Sequence, residues 1–341
     1  MVVSKAPVLD DVHVLCDWLE LSVLSSQYST FPFATVQREW DVHRNQEDRD
    51  PEGGDSVEEA FIELVKSEIR ARKNLFGDVY PFQLSDTGES LDQLPEITFG
   101  NASYLFCLFL SHPKEGAVFS GEYVPSIDSG VRNLFQTIAT LAAADEVSGH
   151  SFSFGFPRPD HSGFLTKLTA VYRAFGESTV VVTEIPKGAS PSPKDEQIDV
   201  IAWQPKIDGA AGKIYLLAQV ASGANWVAKT IKGGPIDSFH KLWFSRQPAS
   251  IPIASIFVPI CLGNLVDGSS VAKIDADTYE FGHIFYRFRI PIQAARGLKL
   301  AKADNQLTIE SAGDADRITH WVTDQIATLK QKSILIYATA A

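Results

Sequence analysis

The tightest constraint on this chain lies between residues 195 and 229. Asp195-Glu196-Gln197-Ile198-Asp199-Val200-Ile201-Ala202-Trp203 runs into a turn-rich link, 204–212, and then into Lys213-Ile214-Tyr215-Leu216-Leu217-Ala218-Gln219-Val220-Ala221. Two short apolar runs joined by a Pro/Asp/Gly loop predict a β-hairpin with both strands largely buried. Asp199 opens the first strand, and Gln219 interrupts the second near its end. A carboxylate and a carboxamide inside apolar strands need partners, because an unsatisfied buried polar group costs about 1–3 kcal/mol. A metal ion is one such partner.

The chain has 341 residues with 45% hydrophobic and 21% charged side chains, enough apolar material for one large domain or two. No apolar run is long enough for a membrane span. Met1 to Asp11 has no basic stretch followed by an apolar one, so no secretory signal is expected. Cys16, Cys107 and Cys261 sit singly in apolar stretches, which predicts buried reduced thiols and a cytoplasmic protein. The net charge of -12 is unevenly spread: residues 1–100 hold 20 Asp+Glu against 8 Lys+Arg, and the remainder is neutral. The overall acidity therefore does not exclude nucleic acid as a partner of the later part of the chain.

Hydrophobic periodicity predicts helices over 8–24, 57–75, 131–143, 162–175, 238–245 and 314–332. In the second of these, Ala60, Phe61, Leu64, Val65, Ile69 and Leu75 form the expected inner face. Extended segments are expected at 152–156, 179–185, 251–260 and 282–290, with a last edge at 333–339. The reading is an α/β protein: a mainly helical, acidic N-terminal module over 1–150, then an α/β domain over 151–341.

Helix, strand, two-stranded hairpin, helix, strand is also the layout of the PD-(D/E)XK nuclease fold, and the hairpin resembles its Mrr-like branch. The motif there reads Asp-Gly-Gly-x-Asp, a strand, then Gln-x-Lys. Asp195 to Asp199 matches the first part without its glycines, and Gln219-Val220-Ala221 matches the second with Ala221 in the Lys position. The resemblance covers roughly residues 160–260. It implies a mixed-sheet, restriction-endonuclease-like core holding Mg²⁺ (or Mn²⁺) through Asp199, Gln219 and the Val220 carbonyl. It further implies a DNA endonuclease, from prokaryotic defence, with Asp199, Gln219 and a displaced Lys229 as catalytic groups. Lys229 is expected one turn into a helix that starts near Asn225. Glu177, Asp195 and Glu184 are the nearest candidates for a second carboxylate.

Each residue also has a structural reading. Asp199 caps the hairpin or pairs with Lys229, Lys229 is an exposed helix residue, Asp195 is a turn residue, and Glu177 and Glu184 are solvated. Lys232, Lys241 and Arg246, interleaved with Trp226, Trp243 and Phe244, suit a phosphate backbone, yet they also suit an amphipathic helix with a wet edge. Arg287 and Arg289, alternating on a strand, would offer a second phosphate contact or an ordinary sheet edge. There is no phosphate-binding Gly-rich loop, nucleophile elbow or His-x-x-x-His pair. Ala221 motivates an alternative function, a catalytically inactive nuclease-fold protein acting as nucleic-acid sensor or scaffold in a multi-protein system. The acidic front part is expected to bind other proteins of such a system, or to mimic DNA charge.

Overall fold

The computed structural model describes residues 11–44, 54–112, 118–119 and 123–340. In chain order the elements are α1 (Val12–Ser25), β1 (Thr30–Pro32), α2 (Phe33–Arg44), α3 (Gly54–Phe76), β2 (Phe82–Leu84), β3 (Ser90–Gln93), α4 (Phe99–Ser111) and α5 (Ser129–Val147). There follow β4 (His150–Ser153), α6 (Phe164–Phe175), β5 (Val180–Val181), β6 (Val200–Trp203), β7 (Tyr215–Val220), α7 (Gly234–Trp243) and β8 (Phe244–Arg246). The last are β9 (Pro252–Phe257), α8 (Ser269–Phe281), β10 (His283–Phe285), α9 (Ile290–Ala303) and α10 (Ala315–Ala340).

Two compact units divide the chain, one of 1–127, 260–273 and 318–341, the other of 128–259 and 274–317. The division thus falls before α5, not at the expected residue 150, and the last helix belongs mostly to the first unit. That first unit is helical, with a small antiparallel sheet in the order β1-β3-β2. The apolar block 103–110 is a helix buried all round, so it shows no one-sided pattern in sequence. On α3 the inward stripe is Ile62, Val65, Glu68, Ile69, Arg72 and Phe76, whereas Leu64 and Leu75 are exposed. The helix turns its buried face to match Arg72 with acids of α1, at the expense of two leucines. Residues 333–339 continue α10 and form no edge strand.

The second unit is built on a five-stranded mixed sheet, β10-β9-β7-β6-β4. β4, β6 and β7 form an antiparallel meander, and β7, β9 and β10 run parallel. The predicted hairpin is β6–β7, in a register that pairs Val200 with Ala218 and Trp203 with Tyr215. The outer partner of β6 is β4, not the 179–185 segment. That segment yields only β5, which pairs with β8 in a separate two-stranded sheet. One face of the large sheet carries Phe152, Ile201, Trp203, Tyr215 and Leu217, packed with α6 and α7 through Leu168, Tyr172, Phe239 and Trp243. α5 packs across β4, β6 and β7, with α9 against it. Gly297 permits that helix contact, since a Cβ there would meet the Leu141 carbonyl oxygen at 1.9 Å. Residues 286–290 leave the sheet and start α9, so Arg287 and Arg289 do not alternate on a strand. Arg287 is buried, and Arg289 donates to the Ile284 carbonyl at 2.9 Å.

Candidate metal centre

Asp199 stands where β6 leaves the sheet. Its N–H donates to the Ala218 carbonyl at 2.8 Å, and its own carbonyl accepts from Phe154 and Gly155 at 2.7 and 3.0 Å. Backbone bonds to both neighbouring strands therefore fix the residue before its side chain does anything. Asp199 precedes the paired residues of β6 and its Oδ1 lies with Gln136 of α5, whereas Gln219 alternates with Tyr215 and Leu217 along β7. The carboxylate Oδ2 accepts the Val220 N–H at 2.7 Å. The contribution of Val220 in the folded chain is thus its amide.

The other carboxylate oxygen, Oδ1, lies 2.4 Å from the position a Cβ on Gly155 would take, and Gln136 Oε1 lies 2.4 Å from the same point. Two acceptor oxygens converge on a space that exists because residue 155 is glycine. Gln136 comes from α5, is buried, and donates through Nε2 to Ser153 Oγ on β4 at 2.6 Å. Gln219 Oε1 is buried with no hydrogen-bond partner among the described residues. Such an orphan carbonyl oxygen carries a full desolvation cost unless something binds it.

Electrostatics point the same way. Burial raises the Asp199 pKa to about 7; the Val220 N–H opposes this, the charge of Asp195 adds to it, and the charge of Lys229 opposes it. A buried carboxyl flanked by a second acid and by acceptor oxygens is disfavoured as an anion and favours a cation beside it. Asp195 is held in place by accepting from Gln197 N–H at 3.0 Å and Phe156 N–H at 3.2 Å. Between the two acids, Glu196 and Gln197 adopt positive φ of 53° and 69°. Left-handed backbone favours glycine, so this turn stands on residues strained by about 1 kcal/mol each.

Other expected residues are placed elsewhere. Glu177 accepts from Ala249 N–H, Ser250 N–H and Ser250 Oγ at 2.9, 2.9 and 2.6 Å, and pairs with Lys213 just ahead of β7, at the strand end remote from Gln219. Glu184 is exposed beyond β5. Lys229 closes a single 3₁₀ turn, Trp226–Ala228, because Gly233, Gly234 and Pro235 delay α7. Ala221 is buried, its N–H bonded to the Phe257 carbonyl at 2.8 Å. Lys232 donates to the Thr278 and Tyr279 carbonyls at 3.3 and 2.7 Å, capping the end of α8. Lys241 and Arg246 are exposed on α7 and β8. Trp226, Trp243 and Phe244 are core residues, not an interleaved surface.

Gln136 was beyond sequence reasoning: it is one of several polar residues of α5, some sixty residues before Asp199. The donor set fits a hard divalent ion, which takes one or two carboxylates and neutral oxygens and keeps several waters. No group of three or more His, Cys, Asp or Glu side chains suited to a metal occurs among the described residues, so any such site is a sparse one. No helix of the described residues is long and apolar enough to cross a membrane, and the three cysteines are buried thiols that form no disulfide among the described residues. Comparison of the chain with family models, with curated proteins and with solved structures finds no match.

Proposed function

We propose that the second unit is a Mg²⁺- or Mn²⁺-dependent DNA endonuclease of the restriction-endonuclease-like kind. The observation that carries this reading is the meeting of Asp199 Oδ1 and Gln136 Oε1 over Gly155; near the end of the neighbouring strand, Gln219 Oε1 is buried without a partner among the described residues. The sheet supports it: a helix, a three-stranded antiparallel meander, and a crossover helix leading to a parallel fourth strand, with the acid opening the second strand and the amide ending the third.

Asp199, Gln136 and Gln219 would hold the ion. The ion supplies a lowered water pKa and polarisation of the phosphate when bound. Asp199 offers its anion from about pH 7 upward, while the Val220 N–H keeps its second oxygen oriented. Lys229, whose charge already acts on Asp199, stabilises the negative charge that develops on a phosphate in the same space. The defence setting, and protein partners for the acidic front of the chain, rest on the resemblance alone. A second reading, an inactive nuclease fold serving as nucleic-acid sensor or scaffold, is favoured by the buried Ala221 in the Lys position.

Incubation of the full chain with Mg²⁺ or Mn²⁺ and plasmid, linear and single-stranded DNA tests the proposal. Cleavage that Asp199→Ala reduces by at least a hundredfold is expected. Intact DNA under every condition, with Mn²⁺ still bound, would establish the scaffold reading instead.

A further inference from the structure

One residue along the chain from Gly155, over which the two oxygens converge, stands an aromatic side chain with no core to fill. Phe156 follows Gly155 directly and is 54% exposed, although the preceding phenylalanines, Phe152 and Phe154, are buried. Large apolar side chains left in water forgo about 25 cal/mol for each Å² of apolar surface. Isolated exposed ones are common, so exposure alone assigns nothing. What sets Phe156 apart is how it is held and what surrounds it. Its N–H donates to Asp195 Oδ2 at 3.2 Å, the acid whose charge acts on Asp199. The residues on its N-terminal side, Phe154 and Gly155, donate to the Asp199 carbonyl. On its C-terminal side Arg158 donates to the carbonyls of Ser162 and Lys194, with its guanidinium over the Phe154 ring at 5.0 Å. The Lys194 ammonium lies 5.6 Å from the centre of the Phe156 ring. A ring presented on a hydrogen-bonded loop, with a cation beside it and a candidate phosphate-cleaving centre one residue away, is a stacking platform in waiting.

We propose that Phe156 and Lys194 form the subsite for an unpaired nucleotide next to the scissile phosphate, so that the strand cut at Asp199 is single-stranded or locally unstacked. The proposal rests on the phosphodiester reading of the Asp199 site and adds its substrate class. Bases stack on aromatic faces irrespective of sequence, and a neighbouring cation meets the backbone charge. In a duplex both faces of each base are already covered, so the ring has nothing to offer it unless a base is turned out. Lys194 leaves its cation–π contact for a phosphate without breaking a hydrogen bond, since none ties its ammonium among the described residues.

The test is equilibrium binding of a fluorescent single-stranded oligonucleotide and its duplex to the full chain in EDTA, where no cleavage occurs. The wild type is expected to prefer the single strand. Phe156→Ala should weaken single-strand binding about tenfold and leave duplex binding unchanged, while Phe156→Trp restores it. Lys194→Ala should lower the dependence of single-strand affinity on salt. Equal single-strand affinity of the wild type and Phe156→Ala, or an equal loss for the duplex, overturns the proposal, as does the absence of any single-strand binding. A parallel Mn²⁺ titration keeps the two readings apart. Phe156→Ala should bind the ion like the wild type, and a wild type that binds the strand but no ion removes the nuclease reading and leaves the stacking subsite standing.

Discussion

The first unit buries a group of acids, the second withdraws the carboxylate of Asp199 from water beside Asp195, and the two sets are treated in opposite ways. In the first unit Asp17 and Glu20 of α1 and Glu68 of α3 surround the fully buried Arg72, which donates to Asp17 at 3.1 Å and to Glu20 at 2.8 Å. Tyr80 and Tyr104 donate to Glu20 at 2.7 and 2.9 Å, and the Leu265 and Val266 N–H groups donate to Glu68 Oε2. His112 Nε2 lies 2.9 Å from Asp17. Every acid there meets donors. At Asp199 one oxygen has a donor, while the other faces a second acceptor. Burial of charge is thus no guide to function in itself; the first cluster is internally satisfied and ties helices together. The second feels the charge of Lys229 but has no cation hydrogen-bonded to it among the described residues, and that lack is what makes it a candidate for a ligand.

The largest effect that can break this contrast belongs to Arg72. Arg72→Met removes the guanidinium paired with three buried carboxylates and should destabilise the first unit by about 3–5 kcal/mol, read by urea denaturation. A loss below about 1 kcal/mol would mean that the acids are neutral when buried, and the distinction between the clusters would fall.

Asp199→Asn should act with the opposite sign. The folded-state pKa of about 7 stands above the ordinary 3.8, so between those values the folded chain holds a proton the unfolded chain has released. Stability of the metal-free protein contributed by this group is present below about pH 4 and is lost as pH rises through 7. At pH 8 the variant should therefore be more stable than the wild type, by at most about 4 kcal/mol, and the difference should vanish at pH 4. Mn²⁺ should stabilise the wild type at pH 8 and not the variant. Denaturation curves at the two pH values, with and without the ion, check both statements.

How much of this was legible beforehand follows from what local pattern can carry. The β6–β7 hairpin and the two polar residues in it stand out because apolar runs make Asp199 and Gln219 conspicuous. The partner of β6 does not, since α6 and β5 separate β4 from it in sequence and the β-branched Val180-Val181-Val182 run is the nearer decoy. Gln136 is hidden for the same reason: only the tertiary packing of α5 on the meander brings its amide to Gly155. Glu177 looked available and is instead consumed by three donors at the far end of β7. In sequence Arg72 is one of several basic residues near the end of α3, and only its proximity to the acids of α1 makes it the centre of a core.

The smallest effect is the sharpest, because its sign separates a structural amide from a ligand. Gln219 is partly exposed as a residue, yet its Oε1 is buried without a partner among the described residues. If that oxygen serves only as filler, replacing it by a side chain of similar size removes an unsatisfied acceptor and gains apolar contact with the strand neighbours. Gln219→Leu should then stabilise the metal-free chain by about 1 kcal/mol, measured by urea denaturation at pH 8. The same variant should lose at least tenfold in Mn²⁺ affinity if the oxygen is a ligand, since a sparse site cannot spare one of its few donors. Stabilisation with unchanged Mn²⁺ affinity would confine the site to Asp199 and Gln136. Destabilisation would mean that Gln219 has a partner of its own in solution, and the second cluster would then resemble the first.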